Sequence, residues 1–186
     1  MIIQSAMFEL KKTVALVGMM GSGKSAIGKV ISSILDVPFI DADVEIEKAA
    51  KLSIPEIFER HGEKFFRDRE NQVIKRLLKE RPCVLATGGG AFVDEKIRIS
   101  IKQHGVSVWL NADLETLWKR VKHKKTRPLL RTDNPKETLA NIYKKRIETY
   151  SLADVIIESR GTSSLDKMAN RVINSLLDRN ELVERI

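Results

Sequence analysis

The sequence predicts a three-layer α/β fold in which helices cover both faces of a parallel β-sheet. Short apolar runs rich in β-branched residues alternate along the chain with longer segments that carry apolar residues at helical spacing. Strands separated by helices are joined by crossover connections, which makes the sheet parallel. No internal repeat, low-complexity tract or linker interrupts this alternation, so we expect one domain spanning residues 1–186.

The first half of the chain begins with a strand at 13–17, an apolar run that ends in glycine, as expected of a buried parallel strand. Further along, the capping box Ser53-Ile54-Pro55-Glu56 opens a short helix. The other elements follow from the same patterns and are a helix at 24–35, a strand at 38–41, a helix at 63–79 and a strand at 83–86.

The second half continues the alternation with one exception. Residues 123–133 form a basic, proline-containing stretch without periodicity, which is typical of a mobile loop. The regular elements are a helix between 86 and 106, a strand at 106–110, a helix at 114–122, a helix capped at 134–137 that runs to 150, a strand at 155–158 and a helix at 164–179.

Composition excludes several classes of protein. Hydrophobic residues make up 42% and charged residues 31% of the chain, which is typical of a folded protein and not of a disordered one. Residues 1–12 lack the pattern of a secretion signal, and no apolar run approaches membrane-spanning length, so we expect a cytoplasmic protein without membrane contact. The single cysteine, Cys83, lies in an apolar run and is expected to be a buried thiol.

Residues 18–25 form a phosphate-binding loop. They match G-x-x-x-x-G-K-[ST] between a buried strand and a helix start, where the mechanism of such loops requires it. Glycines let backbone N–H groups converge on the phosphates, and the helix N-terminus adds positive potential. We expect Lys24 to reach the β- and γ-phosphates and Ser25 to bind Mg²⁺ through its hydroxyl. Because ATPases, GTPases, helicases and kinases share this loop, it indicates nucleotide binding without defining the substrate.

Two acidic residues lie where the strand at 38–41 ends: Asp41 is its last residue, and Asp43 follows two positions later. Both emerge at the carboxyl end of the sheet, on the side where the phosphate loop opens. One carboxylate can hold magnesium through water, and the other can hydrogen-bond and deprotonate an acceptor hydroxyl. The structural alternative makes Asp43 the N-cap of a helix at 44–50.

Glycines and arginines further along the chain are the remaining site candidates. The triplet Gly88-Gly89-Gly90 costs folding entropy and fills no core, which favours a turn that a ligand approaches closely over a simple tight turn. Arg67 and Glu70 share a helix face, so the carboxylate can hold the guanidinium in place. Arg127 lies in the mobile loop, where it can close over a transferring phosphate. Taken singly, Arg67 and Arg146 are more typical of solvated surface charges.

Together these motifs resemble the shikimate kinase family along almost the whole chain. The motifs occur in family order: the loop 18–25, Asp41 and Asp43, Phe66-Arg67 with Glu70, the triplet 88–90, Arg127-Pro128-Leu129-Leu130, and Arg146 four residues before Tyr150. The resemblance implies a P-loop fold like that of nucleoside monophosphate kinases, with substrate-binding helices within 44–79 and a mobile lid at 122–135. It also implies transfer of the ATP γ-phosphate to the 3-hydroxyl of shikimate, on the pathway to chorismate and the aromatic amino acids.

On the acceptor side, the resemblance implies that Asp43 binds the shikimate hydroxyls and acts as the base. Arg67 and Arg146 would bind the shikimate carboxylate. Gly88, Gly89 and Gly90 would line the site, with Gly89 touching the substrate through its backbone. Such contacts are chemically sensible, because planar guanidinium groups suit a carboxylate and a carboxylate beside a hydroxyl can aim it at phosphorus.

On the nucleotide side, the resemblance implies that Ser25 with Asp41 serves Mg²⁺, and that Lys24 and Arg127 act on the phosphates. Two features depart from the family pattern. Ala26 stands where threonine is frequent, and residues 158–162 align only loosely, so Arg160 is a suggested adenine neighbour. The residues expected around the nucleotide are Gly21, Ser22, Gly23, Lys24, Ser25, Ala26 and Arg127.

Two rival interpretations remain open at this point. Another small-molecule P-loop kinase, such as a gluconate kinase, would share the loop and the lid but gives no obvious reason for the other motifs to occur together. The formal net charge of +8 motivates a non-enzymatic, nucleic-acid-associated protein, whose basic residues should form one face interleaved with aromatics. Here the basic residues are dispersed and aromatics are 5% of the chain. We therefore expect small-molecule substrates, no nucleic-acid partner and a monomer.

Overall fold

A computed structural model describes residues 7–124, 127–159 and 163–185. Its strands are β1 Met7–Leu10, β2 Thr13–Val17, β3 Phe39–Asp41, β4 Val84–Ala86, β5 Gly105–Ala112, β6 Val155–Ser159 and β7 Leu182–Arg185. Five of them form a parallel sheet in the order β3-β4-β2-β5-β6. The predicted parallel sheet is therefore confirmed.

The helices agree with the predicted ones to within a few residues. The helix predicted in two parts within 54–79 is one element with a kink at Gly62, whose φ of 79° and ψ of 174° are not helical. Its capping box is present, with the Ser53 backbone N–H donating to Glu56 Oε2 at 2.8 Å. The helices are α1 Lys24–Leu35, α2 Ala42–Ala50, α3 Ile54–Leu78, α4 Glu95–His104, α5 Leu114–Val121, α6 Pro135–Tyr150 and α7 Leu165–Asp178, with 3₁₀ turns at Ala91–Val93 and Pro128–Leu130.

Side chains that alternate along β2 build two cores, one on each face of the sheet. Val14 and Leu16 pack in the core that α1 and α7 complete. Ala15 and Val17 pack in the other core, which contains buried residues of α2 to α6. Alternation of this kind is the period of a strand buried on both faces, and it produces the three layers that were predicted.

One element pair was not predicted. β1 and β7 pair antiparallel in a separate two-stranded sheet, with Leu10 opposite Leu182. Each strand is only four residues long, and the two lie at opposite ends of the sequence, so no local pattern indicates their pairing. No helix within the described ranges is long and apolar enough to cross a membrane.

The strand order brings three of the predicted motifs together. β3, β4 and β2 are neighbours, and Ala86 at the end of β4 is paired with Asp41 on one side and Leu16 on the other. The phosphate loop follows β2, the acidic turn follows β3, and the glycine triplet follows β4. All three turns therefore leave the same edge of the sheet, at the carboxyl ends of parallel strands, where such folds bind ligands.

Candidate active site

The phosphate loop has backbone angles that favour glycine. Gly18, Gly21 and Gly23 have φ values of 133°, 83° and 99°. Space is also limited: a Cβ on Gly18 would lie 2.9 Å from the Leu110 carbonyl oxygen, and one on Gly21 would lie 2.8 Å from Val121 Cγ1. The loop is therefore held in its turn by both conformation and packing against β5 and α5.

Lys24 lies inside this loop. Its side chain is buried, and Nζ donates to the carbonyl oxygens of Gly18 at 2.8 Å and Met19 at 2.9 Å. Removal from water lowers the pKa of Lys24 to about 8, although the Asp43 carboxylate opposes this change. Lys24 is thereby held against the backbone of the loop, where its charge can act on bound phosphates.

Asp41 connects the acidic turn to the phosphate loop. Its Oδ2 accepts a hydrogen bond from Ser25 Oγ at 2.8 Å, and its Oδ1 accepts one from the Asp43 backbone N–H at 3.1 Å. Asp41 is therefore the N-cap of α2. The alternative interpretation of Asp43 as an N-cap is wrong, which leaves the Asp43 side chain available for another role.

Ser25 Oγ and Asp41 Oδ2 form a pair of hard oxygen ligands that fits Mg²⁺. Magnesium in phosphate-transfer sites takes one or two protein oxygens and completes its octahedron with water and phosphate. A dedicated cage of carboxylates is not needed for this, and within the described ranges no group of three or more His, Cys, Asp or Glu side chains could hold a metal ion. Both residues line the cavity beside the phosphate loop.

Two cavities meet at the carboxyl edge of the sheet. The loop cavity, about 470 Å³, is bordered by the phosphate loop and reaches Ser159 and Met168. The arginine cavity, about 370 Å³, is bordered by α3, the glycine triplet, Arg67 and Arg146. Four residues line both cavities and mark their junction: Met20, Asp43, Gly89 and Arg127.

Asp43 and Arg127 give the junction its charge. Removal from water raises the pKa of Asp43, and the neighbouring Asp41 carboxylate raises it further, while Lys24 and Arg127 oppose both effects. The Nε atom of Arg127 is buried without a hydrogen-bond partner among the described residues. A buried donor of this kind is available to pair with a bound phosphate or an ordered water.

Arg67 is held between two glutamates. Its Nη1 donates to Glu70 Oε2 at 2.7 Å, which confirms the predicted contact, and its Nη2 donates to Glu63 Oε1 at 3.0 Å. Glu70 is only 1% exposed, and its Oε1 has no hydrogen-bond partner among the described residues. Burial raises the pKa of Glu70, and Arg67 opposes that change. The guanidinium is thus fixed at the edge of the arginine cavity.

The glycine triplet makes room for this ion pair. A Cβ on Gly88 would lie 2.3 Å from Glu70 Oε1, and one on Gly90 would lie 2.7 Å from Arg67 Nη1. The sequence analysis favoured close approach of a ligand over a simple tight turn as the reason for the triplet. The structure adds a second reason, because side chains of the protein itself occupy the space that larger residues would need.

Arg146 and Gly89 are in direct contact, since Arg146 Nη1 donates to the Gly89 carbonyl oxygen at 2.7 Å. The structure therefore brings Asp43, Arg67, Arg127, Arg146 and the triplet around one cavity. On the nucleotide side, the predicted residues that line the loop cavity are Gly21, Gly23, Lys24, Ser25, Ala26, Asp41 and Arg127. Ser22 is buried, with its Oγ 3.4 Å from Lys24 Nζ.

Several residues around the site were missed by sequence reasoning. Arg120 of α5 lines the loop cavity, and its Nη1 donates to the Gly21 carbonyl oxygen at 3.1 Å. Lys124 and Thr87 also line the loop cavity, and Phe58 lines the arginine cavity. A single basic residue on an amphipathic helix resembles any surface charge, so only the tertiary structure distinguishes Arg120. The suggested adenine neighbour Arg160 lies outside the described residues, as do residues 125 and 126 of the expected lid.

Comparison with known proteins gives consistent matches. A family model described as shikimate kinase matches residues 20–177. The shikimate kinase of Ruegeria pomeroyi is 57% identical over 175 residues, covering 94% of this chain and 90% of the relative. That of Cereibacter sphaeroides is 53% identical over 181 residues, covering 97% and 90%. The solved structure of shikimate kinase from Acinetobacter baumannii in complex with shikimate has a TM-score of 0.87 at 36% identity, covering 90% of this chain and 94% of that chain.

Proposed function

The chain belongs to the shikimate kinase family, and from this premise we propose how its residues transfer the ATP γ-phosphate to the 3-hydroxyl of shikimate. The enzyme is an ATP-dependent phosphotransferase. One observation carries the assignment of roles: Asp43 and Arg127 line both cavities where they meet. A group that serves both substrates during transfer must lie at such a junction.

In this proposal the arginine cavity holds shikimate. Its carboxylate binds Arg67 and Arg146, whose guanidinium groups suit a planar anion. The Glu63 and Glu70 carboxylates support this role by fixing Arg67 in advance, which lowers the entropy cost of binding. Gly89 lines this cavity and would contact the substrate through its backbone.

Asp43 is the proposed base. Its carboxylate accepts the proton of the 3-hydroxyl as that oxygen attacks the γ-phosphorus and the bond from this phosphorus to the bridging oxygen of ADP breaks. The products are shikimate 3-phosphate and ADP, and the proton remains on Asp43 until solvent removes it. The raised pKa of Asp43 supports this role, since a base whose pKa lies nearer the working pH accepts a proton more readily.

Lys24 and Arg127 are the proposed phosphate ligands. Lys24 contacts the β- and γ-phosphates from within the loop. Arg127 uses its guanidinium charge and its Nε, which has no partner among the residues that the structure describes, on the γ-phosphate. Gly21 and Gly23 border the loop cavity and offer backbone N–H groups, and Ala26 lies beside the nucleotide. The N–H of Ser22, between the two glycines, donates to the Met19 carbonyl oxygen at 3.1 Å and holds the turn of the loop. Ser25 and Asp41 would hold Mg²⁺, which supplies neutralisation of the charge on the β- and γ-phosphate oxygens when bound.

We also propose that the enzyme works as a single-domain monomer in the cytoplasm on two small-molecule substrates, shikimate and ATP. Cys83 is buried, and burial raises the pKa of its thiol, so this cysteine supports no disulfide chemistry.

The test measures ATP-to-ADP turnover with magnesium in four conditions: no acceptor, shikimate, gluconate and AMP. We expect turnover to require shikimate and to fall by about 10²- to 10⁴-fold in Asp43→Asn, the range for loss of a general base. Turnover without acceptor, or a preference for gluconate or AMP, would contradict the proposed acceptor. Full activity of the variant with shikimate would instead reject Asp43 as the base.

A further inference from the structure

Tyr150, the last residue of α6, joins three parts of the site. It is 1% exposed, and its hydroxyl donates a hydrogen bond to the Gly89 carbonyl oxygen. The hydroxyl oxygen also lies 3.9 Å from Met19 Sδ in the phosphate loop. Its ring stacks on Trp109 of β5, with 5.7 Å between the ring centroids and 29° between the planes. None of the roles proposed above uses this side chain.

The Gly89 carbonyl has two donors. Tyr150 Oη and Arg146 Nη1 both point at it, and a carbonyl oxygen has two lone pairs to accept them. The Arg146 guanidinium therefore has two hydrogen-bond acceptors: the Gly89 carbonyl in the structure, and the acceptor carboxylate in the proposed function. If Arg146 were the only donor, turning toward the carboxylate would leave a partly buried carbonyl unpaired, which is costly.

The position of Gly89 also matters to the phosphate loop. A Cβ on Gly89 would lie 3.2 Å from the Met20 backbone nitrogen and 3.7 Å from the Gly18 carbonyl oxygen. Gly89 is thus packed directly on the loop, so a group that holds its carbonyl holds the glycine triplet against the loop. Tyr150 is placed to do this because its ring is held by Trp109, whose Cδ1 would lie 3.2 Å from a Cβ on Gly18.

We propose that Tyr150 is a positioning residue, whose hydroxyl keeps the Gly89 carbonyl paired while Arg146 turns toward the acceptor carboxylate. This inference rests on the proposed function in one respect, that Arg146 binds a carboxylate of the acceptor. Burial raises the pKa of Tyr150 to about 12, and Arg146 opposes that change only in part, so the phenol remains a donor throughout the range of ordinary assays.

The first variant is Tyr150→Phe, which keeps the ring against Trp109 and removes only the hydroxyl. We expect the KM for shikimate to rise about tenfold, with kcat and the KM for ATP changed by less than about threefold, since uniform binding of the acceptor is what is lost. The matched control is Tyr143→Phe, on the same helix, half-buried and bordering neither cavity. It should leave all three constants unchanged.

A purely structural role gives a different result. Loss of folded protein lowers kcat in proportion and leaves the KM for shikimate as it was, and this outcome in Tyr150→Phe would overturn the inference. A second readout uses the double variant Tyr150→Phe/Arg146→Ala. If Tyr150 acts through Arg146, the hydroxyl deletion should have almost no further effect on kcat/KM once the guanidinium is gone, whereas independent effects would multiply.

The methyl ester of shikimate separates the two proposals. It lacks the carboxylate charge, so Tyr150→Phe should change its kcat/KM by less than about twofold, against tenfold for shikimate. An equal tenfold loss with the ester would reject a role through carboxylate binding. A parent enzyme that phosphorylates neither compound would instead reject the proposed function, and the inference with it.

Discussion

Glu70 accepts a hydrogen bond from Arg67 across 2.7 Å, and this contact is buried on the glutamate side only. The Glu70 side chain is 1% exposed, whereas Glu63, the other carboxylate partner of Arg67, is 55% exposed. One arginine therefore has a buried and a solvated partner of the same residue type. Charge-assisted contacts are stronger when water does not screen them, so the two glutamates should differ in importance.

The first prediction compares Glu70→Gln with Glu63→Gln. Glu70→Gln replaces an ion pair by a hydrogen bond from the guanidinium to a neutral amide oxygen, which costs on the order of 1–2 kcal/mol, and should raise the KM for shikimate about tenfold. Glu63→Gln should change it by less than about twofold, because exposed ion pairs contribute little. Steady-state kinetics with shikimate as the varied substrate measure both, and equal effects of the two variants would argue against the buried contact as the one that orients Arg67.

The second prediction is that Asp43→Asn stabilises the folded protein while it removes activity. Burial raises the pKa of Asp43 above its ordinary value of 3.8, so the folded state binds this proton more tightly than the unfolded state does. The contribution of Asp43 to the free energy of unfolding therefore falls as the pH rises from about 3.8 through the folded pKa. At neutral pH the ionised carboxylate destabilises the folded protein. Asparagine has no such charge.

The measurement is the melting temperature of parent and variant at pH 5 and pH 8. We expect a higher melting temperature in Asp43→Asn at pH 8, with a smaller difference at pH 5, alongside the kinetic loss already described. Ser107, whose hydroxyl donates to Asp154 at the opposite end of β5, offers a contrast: Ser107→Ala should destabilise the protein at both pH values. A lower melting temperature of Asp43→Asn than of the parent at pH 8 would show that the Asp43 carboxylate stabilises the folded protein.

Some of the site could be predicted because its residues are close in sequence. The phosphate loop is one contiguous motif, and the Arg67 contact with Glu70 follows from helical spacing. The convergence of three turns at one sheet edge follows from the general rule for parallel strands. These predictions needed no knowledge of packing.

Other contacts join residues that no periodicity connects. Gly88 must be small because the Glu70 side chain of α3 occupies the space beside it. The Gly89 carbonyl accepts a hydrogen bond from Tyr150, at the C-terminal end of α6. The β1–β7 pair joins opposite ends of the chain. Such relationships depend on how the elements pack. Arg120, for example, belongs to the site only because α5 packs beside the phosphate loop.

The third prediction concerns the pH dependence of ATP binding. Lys24 has a pKa of about 8 in the protein alone, because burial opposes its charge. At saturating shikimate, the kcat/KM for ATP reports the enzyme before ATP binds and should fall above about pH 8, approaching tenfold per pH unit, whereas kcat should hold to higher pH because bound phosphates restore the charge. Steady-state kinetics between pH 7 and 9.5 at saturating shikimate provide the measurement.

Deprotonation of Lys24 does not destabilise the folded protein, so unfolding from this cause cannot explain a loss of kcat/KM for ATP above pH 8. A lysine with a lowered folded pKa binds fewer protons in the folded state between about pH 8 and 10.5, so its contribution to stability increases with pH in that window. A melting temperature recorded at each pH serves as the control. A kcat/KM for ATP that stays constant to pH 9.5 would mean that Lys24 keeps its charge in the free enzyme.

The last prediction uses Ala26, which follows the magnesium-ligand candidate Ser25 in the first turn of α1 and borders the loop cavity. Its side chain is exposed, so a larger residue meets no obstacle there. Ala26→Thr adds a hydroxyl beside the phosphates, and one additional hydrogen bond of about 0.5–1.5 kcal/mol should lower the KM for ATP about two- to tenfold. Ala26→Val has the same shape without the hydroxyl and shares the small helix penalty of a β-branched residue. If both variants change the KM for ATP equally, the gain comes from shape, and the expected hydroxyl contact to phosphate is absent from this enzyme.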